Sequence, residues 1–374
     1  MSQRALSGKV LLPNGQIEEA TVIIQDGAIA QVIPGAQPGA DVAVDGTIIP
    51  GFIDLQVNGA YGVDFTADGR SVAQVAARLP ETGVTAFLPT VVTAPWERYP
   101  RLLEEIRVGC AEAVGAQPLG VHLEGPFLSP RRPGAHNPAW LRQIDLDELL
   151  AWAAPDIVRV VTLAPELPGA LEAITRLRQQ GILVSAGHSD ATFAEAMAGL
   201  EAGIGWGTHL FNAMSSLGHR EPGLPGALLT TAVPCGLIAD EVHLHPAMIR
   251  LAYRVKGAAG LTLITDAMAA MGMAPGRYLL GGQEVFVDRT SARLANGRLA
   301  GSILTMDQAV RNMVAITGCS LAEAVAMAST TPAAVLNLTR KGRIAPGCDA
   351  DLVVLDGALR VQQTWVAGRL VYEA

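Results

Sequence analysis

Eight short apolar runs, each followed by a stretch of helical character, set the strongest limit on how this chain can fold. They lie at 52–58, 84–92, 119–125, 157–164, 182–187, 204–210, 236–242 and 261–266. Near-continuous Val, Leu and Ile is the composition of strands covered on both faces, as in a parallel sheet. Eight such strands alternating with helices predict a (β/α)8 TIM barrel over residues 51–338. The clearest unit runs from Ile182 to Ala213. ILVSAGHSD ends a strand, ATFAEAMAGLEAG reads as a helix opened by a Thr192/Glu195 capping box and stopped by Gly203, and IGWGTHLFNA starts the next strand. The two strands end in His188 and His209. In a closed parallel barrel the strand carboxyl ends share one face, and that face carries the chemistry.

The flanks have a different texture. Residues 1–50 read as short strands separated by turns at Pro13-Asn14-Gly15, Asp26-Gly27 and Asp45-Gly46, and residues 339–374 as strands ending in a hairpin about Ala367-Gly368. Both ends are β, which predicts a small β-sandwich domain built from 1–50 and 339–374 with the barrel inserted between them. The Gly- and Met-rich segment from Ala269 to Ala300 reads as a long loop or an extra hairpin after strand eight, placed to cover the barrel mouth.

Composition narrows the partners. A formal net charge of −8, with Lys9, Lys256 and Lys341 as the only lysines, argues against nucleic acid or an anionic membrane. No apolar run approaches the roughly 18 to 20 residues of a membrane span, and MSQRALSGKV has no apolar segment of the signal-peptide type. A cytoplasmic protein acting on a small polar molecule is expected. Cys110, Cys235, Cys319 and Cys348 form no C-x-x-C and read as reduced, mostly structural thiols.

The chemistry-bearing residues gather at strand ends. Run three closes in His122-Leu123-Glu124, so Glu124 joins His188 and His209 on the barrel face, with His122 two residues deeper. One carboxylate and two imidazoles leave a fourth position open, the composition of a hydrolytic zinc site. Any one of the three alone reads equally well as a rim residue satisfying a neighbour; three at three strand ends point to a metal. Asp266 ends run eight, where a carboxylate can take a proton from water and return it to a leaving group, or else simply cap a helix. The loop Gly134-Ala135-His136-Asn137 offers His136 as a donor to a carbonyl oxygen. After run six, Arg220 presents a guanidinium fork suited to phosphate, with backbone N–H groups near Asn212 and Ala213 to assist. His243 is a candidate for a sugar hydroxyl; His219 and His245 read as structural or solvated.

The stretches PGFIDLQVNG, LPTVVT, HLEGPF, GAHNP, TLAPE, SAGHSDAT, THLFNAM, REPGLPG, TDAM, GSILTM and GCDADLVVLD, in this order along nearly the whole chain, resemble the amidohydrolase superfamily and, within it, the N-acetylglucosamine-6-phosphate deacetylase family. The resemblance implies that Glu124, His188 and His209 bind one divalent metal, with zinc the first expectation, that Asp266 shuttles the proton, and that His136 polarises the acetamide carbonyl. It further implies that Ala135, Asn212, Ala213, Arg220 and His243 hold a phosphorylated amino sugar, with Arg220 able to come from the neighbouring subunit of a homodimer. The implied reaction is metal-assisted hydrolysis releasing acetate and glucosamine 6-phosphate. Many amidohydrolases carry His-x-His at the end of strand one for a second metal. Gln56-Val57-Asn58 stands there instead, and strand four, IVRVVTLAPE, lacks a bridging lysine, so a single metal per chain is expected.

Three other readings compete. A Schiff-base aldolase needs a lysine at a strand end, and none of the three lysines lies on a proposed barrel strand. An amidohydrolase for a cyclic amide or another N-acyl amino sugar would keep Glu124, His188, His209 and Asp266 but have less use for Arg220. A catalytically dead barrel serving as a binding module would have lost a ligand or the shuttle.

Overall fold

The computed structural model describes residues 3–37, 40–153 and 156–374. Its centre is a ring of parallel strands in chain order: β1 (Phe52–Val57), β2 (Val84–Val92), β3 (Val121–Glu124), β4 (Val158–Leu163), β5 (Leu183–Ala186), β6 (Trp206–Gly207), β7 (Cys235–Leu237) and β8 (Leu261–Leu263). The ring closes where Val57 bridges Ala267 in parallel, with Asn58 N–H donating to the Ala267 carbonyl at 2.8 Å. All eight apolar runs are thus strands of a (β/α)8 barrel. Every residue of β2 is buried, as expected of a strand with side chains inside and helices outside.

The barrel interior beneath the mouth is polar, and its groups are paired. His122 Nε2 lies 2.7 Å from Thr162 Oγ1, which lies 2.8 Å from Thr208 Oγ1, and Ser185 Oγ is 2.5 Å from the same Thr208 hydroxyl. His122 Nδ1 sits 3.1 Å from the Leu55 carbonyl, so this histidine is consumed by the interior. Burial pushes its pKa down to about 4, which keeps it neutral.

The helix Phe193–Ala202 opens with both hydrogen bonds of the Thr192/Glu195 capping box and ends at Gly203 with φ 128°. His245 caps Pro246–Lys256 by accepting from Ala247 N–H at 3.1 Å, a structural role. The chain ends build one seven-stranded sheet in the order Arg369–Glu373, Val361–Val366, Leu352–Leu355, Val42–Pro50, Gln3–Leu11, Ile17–Gln25, Ala28–Pro34. Strand alternation sends its side chains to two cores. Leu6, Val22, Ile48, Leu352 and Trp365 fill a core of the sheet's own, whereas Leu11, Ile49, Val353 and Leu355 join the barrel's core. The segment after β8 is a three-stranded antiparallel sheet, Gly276–Leu280, Gln283–Val287 and Ala292–Leu294, with a small core around Met268 and Val285. Among the described residues, no helix is long and apolar enough to cross a membrane.

Candidate active site

Glu124 is the last residue of β3, and His188 and His209 each follow the last residues of β5 and β6 by two positions. Both histidines have left the extended conformation, with φ 49° and 29°, as has Asp266 after β8, with φ 50°. Non-glycine residues held there store strain of about 1–3 kcal/mol each, and such strain gathers at functional sites. The turn at each strand end swings the side chain into the barrel mouth, which is why β6 stops well short of its apolar run.

The three side chains converge. His209 Nε2 lies 2.9 Å and His188 Nε2 3.3 Å from Glu124 Oε1, and the two Nε2 atoms are 3.0 Å apart. Ligands arranged tetrahedrally at 2.0–2.1 Å from a zinc-like ion stand about 3.3 Å from one another, so the spacing fits a four-coordinate centre with one place free. His188 Nδ1 faces the Arg132 carbonyl at 3.1 Å, which makes Nδ1 the donor and turns the Nε2 lone pair to the centre. Burial would raise the Glu124 carboxyl, yet His136, His188 and His209 hold it well below the carboxylate range. Burial pushes His188 down to about 4, so it is neutral and ready to ligate. At His209 burial works the same way but Glu124 prevails and its pKa is raised; a cation bound between them takes the place of that proton.

Asp266 lies beside this cluster. Its Oδ1 accepts from Asn58 Nδ2 at 2.7 Å and from Gln56 Nε2 at 3.0 Å, and the same Gln56 nitrogen donates to Glu124 Oε1 at 2.9 Å. Gln56 and Asn58 therefore turn N–H groups toward the carboxylates, and their buried carbonyl oxygens, Gln56 Oε1 and Asn58 Oδ1, have no partner among the described residues. Burial, with the Glu124 charge second, raises the Asp266 carboxyl to about 6, close to the pH at which a base must both take and return a proton. Asp54, wholly buried below, accepts from the Thr265 hydroxyl at 2.6 Å and its N–H at 3.2 Å, tying β1 to the strand end that carries Asp266.

A cavity of about 380 Å³ opens over the cluster, lined by Asn58, Glu124, Ala135, His136, His188, His209, Asn212, Ala213, His243 and Asp266. His136 is oriented by Thr93, whose backbone N–H donates to Nδ1 at 3.1 Å and whose hydroxyl is 2.8 Å away. An Nδ1 that accepts from an amide carries no proton, so neutral His136 has its N–H at Nε2, 3.7 Å from Glu124 Oε2. His243 Nδ1 is paired with Asp240 Oδ2 at 2.7 Å. The post-β8 sheet walls one side through Leu280 with Arg298, Leu299 and Gly301 beyond it, and Gln283 donates to the Ala135 carbonyl. Arg220 is not brought to this cavity by its own chain; it is exposed on the loop before the helix Gly223–Thr230. A larger cavity, about 890 Å³, opens at the opposite end of the barrel, and among the described residues its lining has no carboxylate, imidazole or thiol.

The three side chains that converge are the ones expected from the sequence; the groups that orient them are not. Thr93, Gly134, the Arg132 carbonyl, Asp54 and Asp240 had no stated part. LPTVVT and GAHNP carried Thr93 and Gly134 in plain view, as motifs without a mechanism.

The amidohydrolase family model matches residues 47–371. The N-acetylglucosamine-6-phosphate deacetylase of Homo sapiens is 46% identical over 343 residues, 87% of this chain and 84% of its own. The N-acetylgalactosamine-6-phosphate deacetylase of Escherichia coli O157:H7 is 42% identical over 371 residues, 97% of each chain. Among solved structures, an aspartate-to-alanine variant of N-acetyl-D-glucosamine-6-phosphate deacetylase from Mycobacterium smegmatis, in complex with N-acetyl-D-glucosamine 6-phosphate, has a TM-score of 0.93 at 36% identity, covering 99% of this chain and 100% of that one. With the family model spanning the barrel and most of the C-terminal flank, and relatives of this identity matched over more than four fifths of their length, the chain belongs to the amidohydrolase family, in the branch of the N-acetylglucosamine-6-phosphate deacetylases.

Proposed function

We propose that this protein hydrolyses the acetamide of N-acetylglucosamine 6-phosphate to glucosamine 6-phosphate and acetate, using one divalent ion per chain, zinc by the chemistry of its ligands, as a cytoplasmic homodimer. The observation that carries the reading is the convergence of Glu124 Oε1, His188 Nε2 and His209 Nε2 beside Asp266 in one cavity. When bound there, a divalent ion supplies Lewis acidity to water and to the amide carbonyl. Asp266, raised to about 6, held through Oδ1 and lining the cavity, takes a proton from the attacking water and delivers it to the departing amine. His136, fixed in the Nε2–H form by Thr93, donates to the carbonyl oxygen as negative charge develops on it. The loop N–H groups about Asn212 and Ala213, with His243, hold the sugar, and Ala135 shapes the wall against it. The catalytic unit is residues 51–338, and residues 1–50 with 339–374 form the domain that braces it. The exposed position of Arg220, away from its own chain's cavity, supports a phosphate contact made across the dimer. Amide nitrogens from Gln56 and Asn58 fill the place where other amidohydrolases offer imidazoles, which supports a single metal.

A second reading differs by one sugar stereocentre. The Escherichia coli relative named for the galactosamine epimer is 42% identical and covers 97% of this chain, against 87% for the human relative named for the glucosamine one. Acetate release measured with both N-acetylated 6-phosphates, and with unphosphorylated N-acetylglucosamine, separates them. We expect the highest kcat/KM on N-acetylglucosamine 6-phosphate; a higher value on the galactosamine epimer assigns the second reading, and no acetate from either refutes both.

A further inference from the structure

The TLAPE stretch that ends β4 has no part in the chemistry above, yet its Glu166 holds the segment that carries a metal ligand. Its two carboxylate oxygens grip the two residues after His188: Ser189 Oγ donates to Oε2 at 2.7 Å and Asp190 N–H to Oε1 at 2.7 Å. Asp190 then reaches the other way. Its Oδ1 accepts from Arg132 Nε at 2.7 Å and its Oδ2 from Arg131 at 3.3 Å. Arg132 returns to the ligand, because its carbonyl accepts from His188 Nδ1 at 3.1 Å. The loops following β3 and β5 are so joined into a closed ring through Asp190, Arg132 and His188, and Glu166 clamps that ring from the loop following β4; both carboxylates are only partly exposed.

We propose that Glu166 and Asp190 are positioning residues that set metal affinity by fixing the two angles His188 needs. Glu166 ties the Ser189 hydroxyl and the Asp190 N–H, adding to the backbone bonds that Ser189 makes with Ala213 and Ser215 and His188 with Ser129, and so helps keep His188 in its left-handed turn of φ 49°. Asp190 fixes the ring rotation, since the Arg132 carbonyl that sets the imidazole tautomer is anchored through the Arg132 side chain. Groups that orient a ligating histidine typically change metal affinity or activity by 10–100-fold when removed. This inference rests on the metal-site reading, and its test separates the two.

The test is the zinc dissociation constant of the full chain, by competition with a chromogenic chelator, for wild type, E166Q, E166A, D190N and the E166Q/D190N double variant. E166Q keeps an acceptor for Asp190 N–H and loses the charge, so its affinity should fall about 10-fold, and that of E166A nearer 100-fold. D190N should fall about 10-fold, and the double variant less than the product of the two single effects, because both act through one imidazole. Excess zinc should restore most of the lost kcat in E166Q. Zinc affinities within twofold of wild type in E166Q and D190N overturn the proposal, whatever their melting temperatures do. A wild-type chain that binds no zinc overturns the metal-site reading itself.

Discussion

Gly134 is the position where the smallest possible addition should disturb the site. Its φ is +55°, and a Cβ built there stands 2.8 Å from His188 Cε1 and 3.2 Å from Nδ1. Ordinary contact begins near 3.4 Å, so in Gly134→Ala the ring or the loop must yield by about 0.6 Å. The ring cannot retreat freely, because its Nδ1 is hydrogen-bonded to the Arg132 carbonyl at 3.1 Å. Metal–ligand distances hold to within about 0.2 Å, so a displacement of that size would weaken a metal bond to His188. If the loop yields instead, it carries His136, two residues on, away from the amide carbonyl. Alanine at positive φ adds about 1–2 kcal/mol of backbone strain. We therefore expect zinc affinity to weaken at least about tenfold, or roughly 1.4 kcal/mol, or else kcat to fall by about 10²-fold with affinity kept. Chelator competition and steady-state kinetics on the same preparation check both. An alanine variant with wild-type affinity and wild-type kcat refutes the packing argument.

The other predictions follow from single residues. Asp266→Asn keeps the hydrogen bonds from Gln56 and Asn58 within reach and removes the proton acceptor, so kcat should drop by roughly 10²-fold or more while the substrate still binds; near-normal turnover refutes the shuttle. Arg220→Ala should raise KM for the 6-phosphate and leave the weak use of the unphosphorylated sugar nearly unchanged, and mixing it with a His209→Ala variant should restore some activity through shared sites; equal damage to both substrates makes Arg220 structural. Burial raises the Asp54 carboxyl from 3.8 to about 7, so the native state holds this proton more tightly than the unfolded chain. The stability this gives is complete below pH 3.8 and is lost as pH rises through about 7. The stability advantage of wild type over Asp54→Asn should then shrink by up to about 3 kcal/mol between pH 5 and 7.5, and a difference independent of pH in denaturant melts refutes it.

The parts of this molecule that could be read from residues alone are those in which one element declares itself. A parallel strand covered on both faces must be apolar along its length, so VTAFLPTVV announced β2 without help from any distant partner. The cluster that could hold a metal was legible for the same reason: Glu124, His188 and His209 stand where apolar runs stop, and strand ends of a barrel share a face. Orientation was not legible, because it depends on pairs far apart in the chain. Thr93 fixes His136 across 43 positions, and the Arg132 carbonyl turns His188 across 56. Nothing in the local pattern of either partner signals the contact. Arg220 shows the opposite limit. Its side-chain chemistry suits phosphate, but a guanidinium on a loop has no periodicity to say which surface it serves, and its own chain leaves it exposed. The capping box at Thr192 and Glu195 was certain to be found, since its spacing is both the signal and the structure.

On the proposed reading, one divalent ion held by Glu124, His188 and His209 makes this chain a deacetylase. Titration of the metal-stripped protein with zinc, following acetate release from N-acetylglucosamine 6-phosphate, tests it directly. Activity should be absent at the start, rise in proportion to added zinc and level off at about one equivalent per chain, and Glu124→Gln should abolish that rise. Full activity in the stripped protein, or a rise that continues to two equivalents, would contradict it.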